Sequence, residues 1–197
     1  QAVQTIVSRN IDPLKSAVGA DNTAAVVITT TAGAFVACNA VRLFETTSFN
    51  RVMRSGRLFY AEGTELLTPL PLSLPAGFPD LRGRIAYSGG TLIDPAWRGR
   101  RLGVLTTRLV RLLGERLYRA DHHTGHIFQN RPGDTPPRLP YHFTRCVPCL
   151  PSLRIPDRDQ QQLLLLVDIS RGEFLDQAAR NVARLRKASR HSTTSSC

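Results

Sequence analysis

The chain has 197 residues and a formal net charge of +11, which arginine supplies almost entirely because Lys15 and Lys187 are the only lysines. Its hydrophobic fraction of 42% and charged fraction of 21% are typical of a globular protein with a sizeable core. The longest apolar run, Leu163 to Val167, is far shorter than the roughly 20 residues that a membrane-spanning helix needs. The basic balance suits phosphate ligands, nucleic acid or anionic lipid, and does not choose among them.

The ends and the cysteines bear on the compartment and on domain organisation. Residues 1–10 lack a basic start followed by an apolar block, and the four cysteines suggest no disulfide framework, so we expect a cytoplasmic protein. Because the first residue is Gln, we expect the chain to begin inside a longer product. We predict one domain over residues 1–185, with an insertion over 45–82. A basic, Ser/Thr-rich tail over 186–197 is expected to be disordered.

The first half of the chain predicts a hairpin, a helix and an apolar loop. Ala24 to Thr30 is β-branched, and Ala34 to Phe44 alternates, as in two strands of an antiparallel hairpin. A helix is expected over Ser48 to Tyr60, with a buried side formed by Phe49, Val52, Met53 and Phe59. Four prolines then interrupt a leucine-rich stretch, which predicts a long apolar loop. That loop is either a lid or wall of a binding site, or an insertion that packs on the surface.

The second half predicts further strands around one strand–turn–helix crossover. The expected strands are Arg84 to Ile93, His126 to Gln129, Tyr141 to Val147 and Leu163 to Ile169. Ser170 and Glu173 fit a capping box at the start of a C-terminal helix. This order predicts an α/β (α+β) fold: a mixed, mostly antiparallel sheet with a central parallel crossing and helices on both faces.

The most informative stretch is the crossover itself. An apolar strand ends at Ile93, a turn rich in glycine and arginine follows, and a helix with leucines at steps of three and four begins near Leu102. A helix start carries unpaired N–H groups and the positive end of the helix dipole, so it binds phosphate readily. Gly99 and Gly103 let an anion approach the backbone, and the surrounding arginines add charge. The stretch therefore predicts a pyrophosphate site.

The order and spacing of Ile93-x-Pro95-x-x-Arg98-Gly99-Arg100-Arg101-Leu102-Gly103 resemble motif A of the GNAT superfamily of acyl-CoA-dependent N-acyltransferases. The resemblance is specific over about Ile85 to Tyr118 and looser over Ala24 to Ile169. It implies a GNAT-like sheet and an acyl donor, acetyl-CoA or another acyl-CoA, whose acyl group passes to an amine acceptor by direct attack.

The resemblance also implies roles for particular residues. The backbone amides of the turn would hold the coenzyme A pyrophosphate, and the strand end would pair with the pantetheine arm. A bulge near Ser88-Gly89-Gly90 would splay this strand from the next one and open a slot for the thioester. Asn130 would contact the cofactor. The implied cofactor-binding residues are Leu92, Ile93, Arg98, Gly99, Arg100, Arg101, Leu102, Gly103 and Asn130.

The acid and the base are less clearly marked. Tyr141 lies at about the right distance along the chain for the family's general acid, although it follows Pro140 and precedes a strand pattern. Glu45 is placed first as general base, with Glu62, Glu65, Asp94 or a relayed water as alternatives. The sequence departs from the family at Arg101, where the motif has a glycine.

Two other features are considered as possible sites, and three alternative functions remain open. Cys146-Val-Pro-Cys149 is half of a zinc site without a second half, so no metal site is predicted. The basic C-terminal run lacks interleaved aromatic residues, so a nucleic-acid partner is not indicated by it. A non-catalytic acyl-CoA-binding or partner-binding module, a long-chain acyltransferase and a basic nucleic-acid-binding domain remain alternatives. The acceptor and the oligomeric state are not encoded in any motif.

Overall fold

The computed structural model describes residues 11–12, 18–58, 69–129, 140–154 and 161–194. These residues form a six-stranded mixed sheet with helices on both faces. The strands are β1 (Thr23–Thr29), β2 (Phe35–Thr46), β3 (Gly83–Ile93), β4 (His122–Gln129), β5 (Arg145–Arg154) and β6 (Gln161–Ser170). The helices are α1 (Phe49–Arg54), α2 (Leu102–Tyr118) and α3 (Arg171–Thr194), and 3-10 turns occupy Pro95–Trp97 and Pro140–His142.

The sheet consists of two antiparallel halves joined by one parallel pair. The strand order is β1-β2-β3-β4-β6-β5, and only β3 and β4 among these neighbours run parallel. Helix α2 makes the crossover that a parallel pair requires. The predicted class, a mixed and mostly antiparallel sheet with a central parallel crossing, is confirmed.

The predicted hairpin is also confirmed. β1 and β2 pair from Thr23↔Arg42 to Thr29↔Phe35, and the turn closes with Thr30 N–H donating to the Ala34 carbonyl over 2.8 Å. Gly33 takes a φ of 82° there, a conformation that glycine adopts without steric cost.

One face of the sheet is covered by α1 and by the apolar loop of residues 69–82. The buried cluster on this face contains Phe44, Phe49, Val52, Met53, Leu58, Leu81, Ile85, Tyr87, Cys149, Leu150, Leu164 and Leu166. Leu70, Leu72, Leu74 and Phe78 pack against it, so the described part of the proline–leucine loop serves as a cover for the core. Helix α1 begins after Ser48, whose hydroxyl accepts from Arg51 N–H, and ends at Arg54, earlier than predicted. The predicted buried residue Phe59 and helix end Tyr60 lie outside the described residues.

The other face carries α2 and α3. Val41 and Ala86 pack against Val110 of α2, and Val167 and Ile169 pack against Phe174 of α3. The predicted capping box is confirmed, since Ser170 N–H donates to Glu173 Oε2 over 2.9 Å. Helix α3 continues to Thr194, beyond residue 186, where the disordered tail was expected to begin.

Two predicted elements differ from the structure. Residues 141–147 were expected to be a strand, but Tyr141 and His142 have φ angles of 63° and 64°, and β5 begins only at Arg145. Strand β4 begins at His122, earlier than the predicted His126, because it pairs with β6 along its whole length.

Candidate functional site

The central feature of the site is a gap between β3 and β4. Their parallel pairing runs from Ile85↔His122 to Ser88↔Gly125 and stops there, although β3 continues to Ile93 and β4 to Gln129. Strands that stay side by side in a sheet are joined by backbone hydrogen bonds, and no residue pair joins these two strands beyond Ser88 and Gly125. The two strands therefore diverge there.

A bulge in β3 accompanies this divergence. On β2, Cys38 pairs with Leu92 and Ala40 pairs with Gly89, so two residues of β3 oppose the single Asn39. Gly90 lies in this extra length with a φ of 68°. The bulge predicted near Ser88-Gly89-Gly90 is confirmed, and it bends β3 at the point where pairing with β4 ends.

The vertex of the gap is closely packed. A side-chain Cβ at Gly125 would lie 2.8 Å from the carbonyl oxygen of Ser88, so only glycine fits there without movement of the backbone. The Ser88 hydroxyl donates to the Thr124 carbonyl over 3.1 Å and fixes the two strands together.

A tyrosine–histidine pair lies at this vertex, on the face covered by the apolar loop. The Tyr87 hydroxyl lies 3.1 Å from His126 Nδ1, and the ring centroids are 5.5 Å apart. Burial lowers the pKa of His126 to about 3, so its imidazole is neutral at neutral pH, and burial raises the pKa of Tyr87. Sequence reasoning missed this pair, because only the register between β3 and β4 brings the two residues together.

The glycine–arginine turn lies where β3 leads into α2. Asp94 ends the strand, and its carboxylate accepts from Ala96 N–H over 2.8 Å to start the 3-10 turn. Gly99 then takes a φ of 78°, with open space where a side chain would be. Arg101 caps α2 in a left-handed conformation, φ 59° and ψ 19°, without a side-chain hydrogen bond to the helix.

This geometry leaves an exposed, positively charged helix start. Val104 and Leu105 N–H both donate to the Arg101 carbonyl, whereas Leu102 and Gly103 occupy the first two helical positions, whose N–H groups have no intrahelical acceptor. The guanidinium of Arg100 lies 4.8 Å from the centroid of the Trp97 ring. The turn therefore presents backbone donors and arginines to solvent, as an anion site requires.

Tyr141 comes close to this helix start. A Cβ built on Gly103 would lie 3.8 Å from the Tyr141 hydroxyl oxygen and 3.5 Å from Ile93 Cδ1. The structure thus brings the predicted acid, the end of β3 and the first turn of α2 together. The backbone of Tyr141 is left-handed, and its carbonyl accepts from the buried guanidinium of Arg111.

Glu45 lies elsewhere. It pairs across the strands with Arg84, at the opposite end of β3 from Ile93, and its carboxylate is 3.4 Å from Arg84 Nε. Ile93 lies nine positions further along β3 than Arg84, which corresponds to roughly 30 Å. An open depression of about 550 Å³ lies beside Glu45 and Arg84, and it does not reach the turn.

The remaining predicted site residues lie in different parts of the chain, and only some of them are at the turn. Leu92 and Ile93 end β3 at the turn, as expected from the sequence. Asn130, Glu62 and Glu65 lie outside the described residues. Cys149 is buried, and burial raises its pKa to about 12, while its thiol donates to the Leu164 carbonyl. Over the described ranges, no three His, Cys, Asp or Glu residues are grouped closely enough to hold a metal ion.

Four of the six leucines of α2 are exposed and do not face the sheet. The buried side of the helix is formed by Thr106, Thr107, Val110, Arg111, Gly114 and Tyr118. Leu105, Leu109, Leu112 and Leu117 are each more than a third exposed. The spacing of the leucines predicted the helix correctly. It does not indicate which side of the helix contacts the sheet.

No protein-family model and no curated protein sequence matches this chain. Within the described part of the chain, no helix is long and apolar enough to cross a membrane.

Proposed function

We propose that the protein is an acyl-CoA-dependent N-acyltransferase, with acetyl-CoA as the expected donor, that transfers an acyl group to an amine. The observation that carries the proposal is the gap between β3 and β4, which opens at a bulge and leads along β3 to an exposed helix start flanked by arginines. These features agree with what the resemblance to the GNAT superfamily implies.

The donor would lie along β3. The backbone groups of Leu92 and Ile93 on the β4 side are not used by pairing with β4, so an extended pantetheine arm would bind there as an added strand. The pyrophosphate would lie against the amides of residues 98–103, where Gly99 leaves open space. The exposed arginines of the turn would add charge-assisted hydrogen bonds.

The chemistry follows from where the thioester would lie. The nitrogen lone pair of a neutral amine attacks the thioester carbon to form the new C–N bond, the C–S bond breaks, and the attacking nitrogen passes its proton to a water, one of the bases that the sequence left open. Backbone N–H groups at the bulge would stabilise the oxyanion. The resemblance assigns protonation of the leaving thiolate to Tyr141, and because its hydroxyl lies at the start of α2, the proton would reach a thiolate at the bulge through water.

A non-catalytic acyl-CoA-binding module is the second candidate, and one observation favours it. The described residues of β3 and β4 beyond the vertex, 89–93 and 126–129, contain no carboxylate, and Glu45 is distant from them. This version keeps the donor site and lacks a carboxylate base for the amine in these stretches.

Calorimetric titration with acetyl-CoA and longer acyl-CoAs, followed by a thiol-release assay over a panel of amines, tests the proposal. We expect binding to the unsubstituted protein and a loss of affinity of about tenfold or more in Gly99→Val. Gly77→Val is the matched control, because Gly77 has a similar φ of 83° and open space, but lies in the apolar loop.

The outcomes separate the candidates. Absence of binding to every acyl-CoA would refute both, and equal losses of affinity in the two glycine variants would refute the assignment of the turn. Binding without thiol release over the amine panel would favour the non-catalytic module. Salt-dependent RNA or DNA affinity without acyl-CoA binding would indicate a nucleic-acid-binding domain instead.

A further inference from the structure

Arg111 is a buried cation on the sheet-facing side of α2. Only 2% of its surface is exposed, and it is among the largest fully buried side chains of the described residues. Burial, with a smaller contribution from Arg108, lowers its pKa to about 10, so it remains charged at neutral pH. Burying a charged side chain costs free energy, so the groups that Arg111 contacts indicate its role.

The partners of Arg111 lie in the segment before β5. Its guanidinium donates to the backbone carbonyls of Tyr141 and His142, the second over 3.4 Å. The same group lies 4.6 Å from the centroid of the Phe143 ring and 5.7 Å from that of Phe174. The guanidinium thus bridges two consecutive carbonyls and lies over aromatic rings, and its planar fork presents two nitrogens in a fixed geometry that the single ammonium of lysine lacks.

The two carbonyls belong to residues in an unfavourable conformation. Tyr141 and His142 both have left-handed backbones, which non-glycine residues adopt only when their surroundings hold them there. Arg108 contacts the His142 ring, and Gln177 of α3 donates to the His142 carbonyl over 3.1 Å. Arg111 is the contact that reaches both residues of the turn.

The conformation of this turn sets where the Tyr141 side chain lies. With the turn held as observed, the Tyr141 hydroxyl oxygen lies 3.8 Å from the position of a Cβ on Gly103, in the first turn of α2. Arg111 is on the same helix, a little over two turns further along, so one rigid element holds both the backbone of Tyr141 and the surface that its hydroxyl approaches.

We infer that Arg111 is a positioning residue, which holds the Tyr141–His142 turn so that the Tyr141 hydroxyl lies at the start of α2. This inference rests on the proposed function, in which that hydroxyl protonates the leaving thiolate. The position of the Tyr141 hydroxyl is a property of the ligand-free protein, so it can be measured independently of the proposed activity.

The first experiment uses 3-fluorotyrosine at position 141 and ¹⁹F NMR on the ligand-free protein. We expect a single signal displaced from that of free fluorotyrosine, and its collapse towards the free position in Arg111→Lys, which keeps the charge but lacks the rigid two-nitrogen fork that reaches both carbonyls. Val110→Ala is the control, since it loosens the same buried side of α2 at a residue that packs against the sheet. An unchanged signal in Arg111→Lys, or an equal change in Val110→Ala, would overturn the inference.

The unsubstituted protein provides a measurement that needs no variant, in case Arg111→Lys does not fold. Arginine ¹⁵N NMR is expected to show hindered rotation of the Arg111 guanidinium, with cross-relaxation from its protons to Tyr141 and His142. A freely rotating guanidinium would refute the positioning role.

The second experiment is a kinetic cycle with Arg111→Lys, Tyr141→Phe and the double variant. We expect each single substitution to lower kcat by about 10- to 100-fold with an unchanged KM for acyl-CoA, and Arg111→Lys to have little further effect in the Tyr141→Phe background. A loss of the same size in both backgrounds would contradict action through Tyr141. If the unsubstituted protein binds no acyl-CoA, the proposed function fails, and the NMR measurements still decide the placement.

Discussion

Replacing Arg101 with glycine is expected to stabilise the protein. Arg101 caps α2 with φ 59° and ψ 19°, is exposed, and makes no side-chain hydrogen bond to the helix start. An L-residue in this region costs roughly 1–2 kcal/mol, and glycine avoids that cost. Glycine loses roughly 0.5–1 kcal/mol of additional backbone entropy on folding. The net gain in the free energy of unfolding is therefore about 1 kcal/mol, or about 2–4 °C in Tm for a chain of this size.

Urea unfolding and thermal scanning of three variants measure this gain. Arg100→Gly removes the same charge one residue earlier, at a residue without a positive φ, and loses the contact with Trp97, so we expect it to destabilise. Arg119→Gly acts at the other end of α2, where the C-cap has φ 46°, and should stabilise to a similar extent as Arg101→Gly. If Arg101→Gly destabilises the protein as Arg100→Gly does, the left-handed cap and the energy assigned to it are wrong.

Three further substitutions test the sheet. Gly125→Ala should lower the free energy of unfolding by about 1–3 kcal/mol, since the added methyl would meet the Ser88 carbonyl oxygen at 2.8 Å. Asp168→Ala should cost about 1–3 kcal/mol, because it removes the buried carboxylate that accepts from Arg145 over 2.8 Å and leaves Arg145 only the more distant Glu173, at 3.6 Å. Burial lowers the pKa of His123 to about 4 from 6.5, so the unfolded chain takes up a proton first as pH falls. The resulting loss of stability between pH 7.5 and 5 is about 2 kcal/mol, and His123→Phe should remove this part, whereas a similar part from His126, whose pKa burial lowers to about 3, should remain.

Urea titrations measure the free energy of unfolding of each variant, and a different outcome would contradict each prediction. Gly172→Ala is the control for the first, because open space surrounds Gly172, and equal effects at both glycines would refute close packing at the vertex. Asp176→Ala, at an exposed site on α3, is the control for the second, and a loss at Asp168 no larger than this one would refute the buried pair. An undiminished pH dependence in His123→Phe would show that other groups cause the acid sensitivity.

The strand–turn–helix crossover was predictable because its signals are local. Apolar residues end at Asp94-Pro95, glycine and arginine follow, and leucines recur at helical spacing. The bulge was predictable for the same reason, since Gly89 and Gly90 are unusual inside a strand.

The side of α2 that contacts the sheet was not predictable from hydrophobicity. A Cβ on Gly114 would lie 3.3 Å from Val41 Cγ2 and 3.5 Å from Ala86 Cβ, so the helix approaches the sheet through small residues. The leucines are larger and lie on the outer side. The side of α2 that faces the sheet is therefore the side whose small residues allow close approach. The spacing of apolar residues in the sequence does not indicate that side.

The non-local parts of the site required the structure. Tyr87 and His126 are 39 residues apart in the chain and meet only through the parallel register of β3 and β4. The left-handed backbone of Tyr141 is held by Arg111, which nothing in the sequence distinguishes from the other arginines of α2. Sequence patterns identify elements, whereas such pairs depend on how the elements meet.

The short parallel ladder has a mechanical consequence. Its four residue pairs are the only strand pairing, among the described residues, that joins the β1-β2-β3 half of the sheet to the β4-β6-β5 half. Helix α2 lies on the first half, and Arg111 and Glu115 connect it to the second through the 140–142 turn and Arg171. The two halves are thus joined by few strand hydrogen bonds, and these contacts, with the buried cluster that Phe44 and Leu164 share, fix the angle between them. Because that angle sets the width of the gap, a substitution in the second half is expected to alter the gap without touching the glycine–arginine turn.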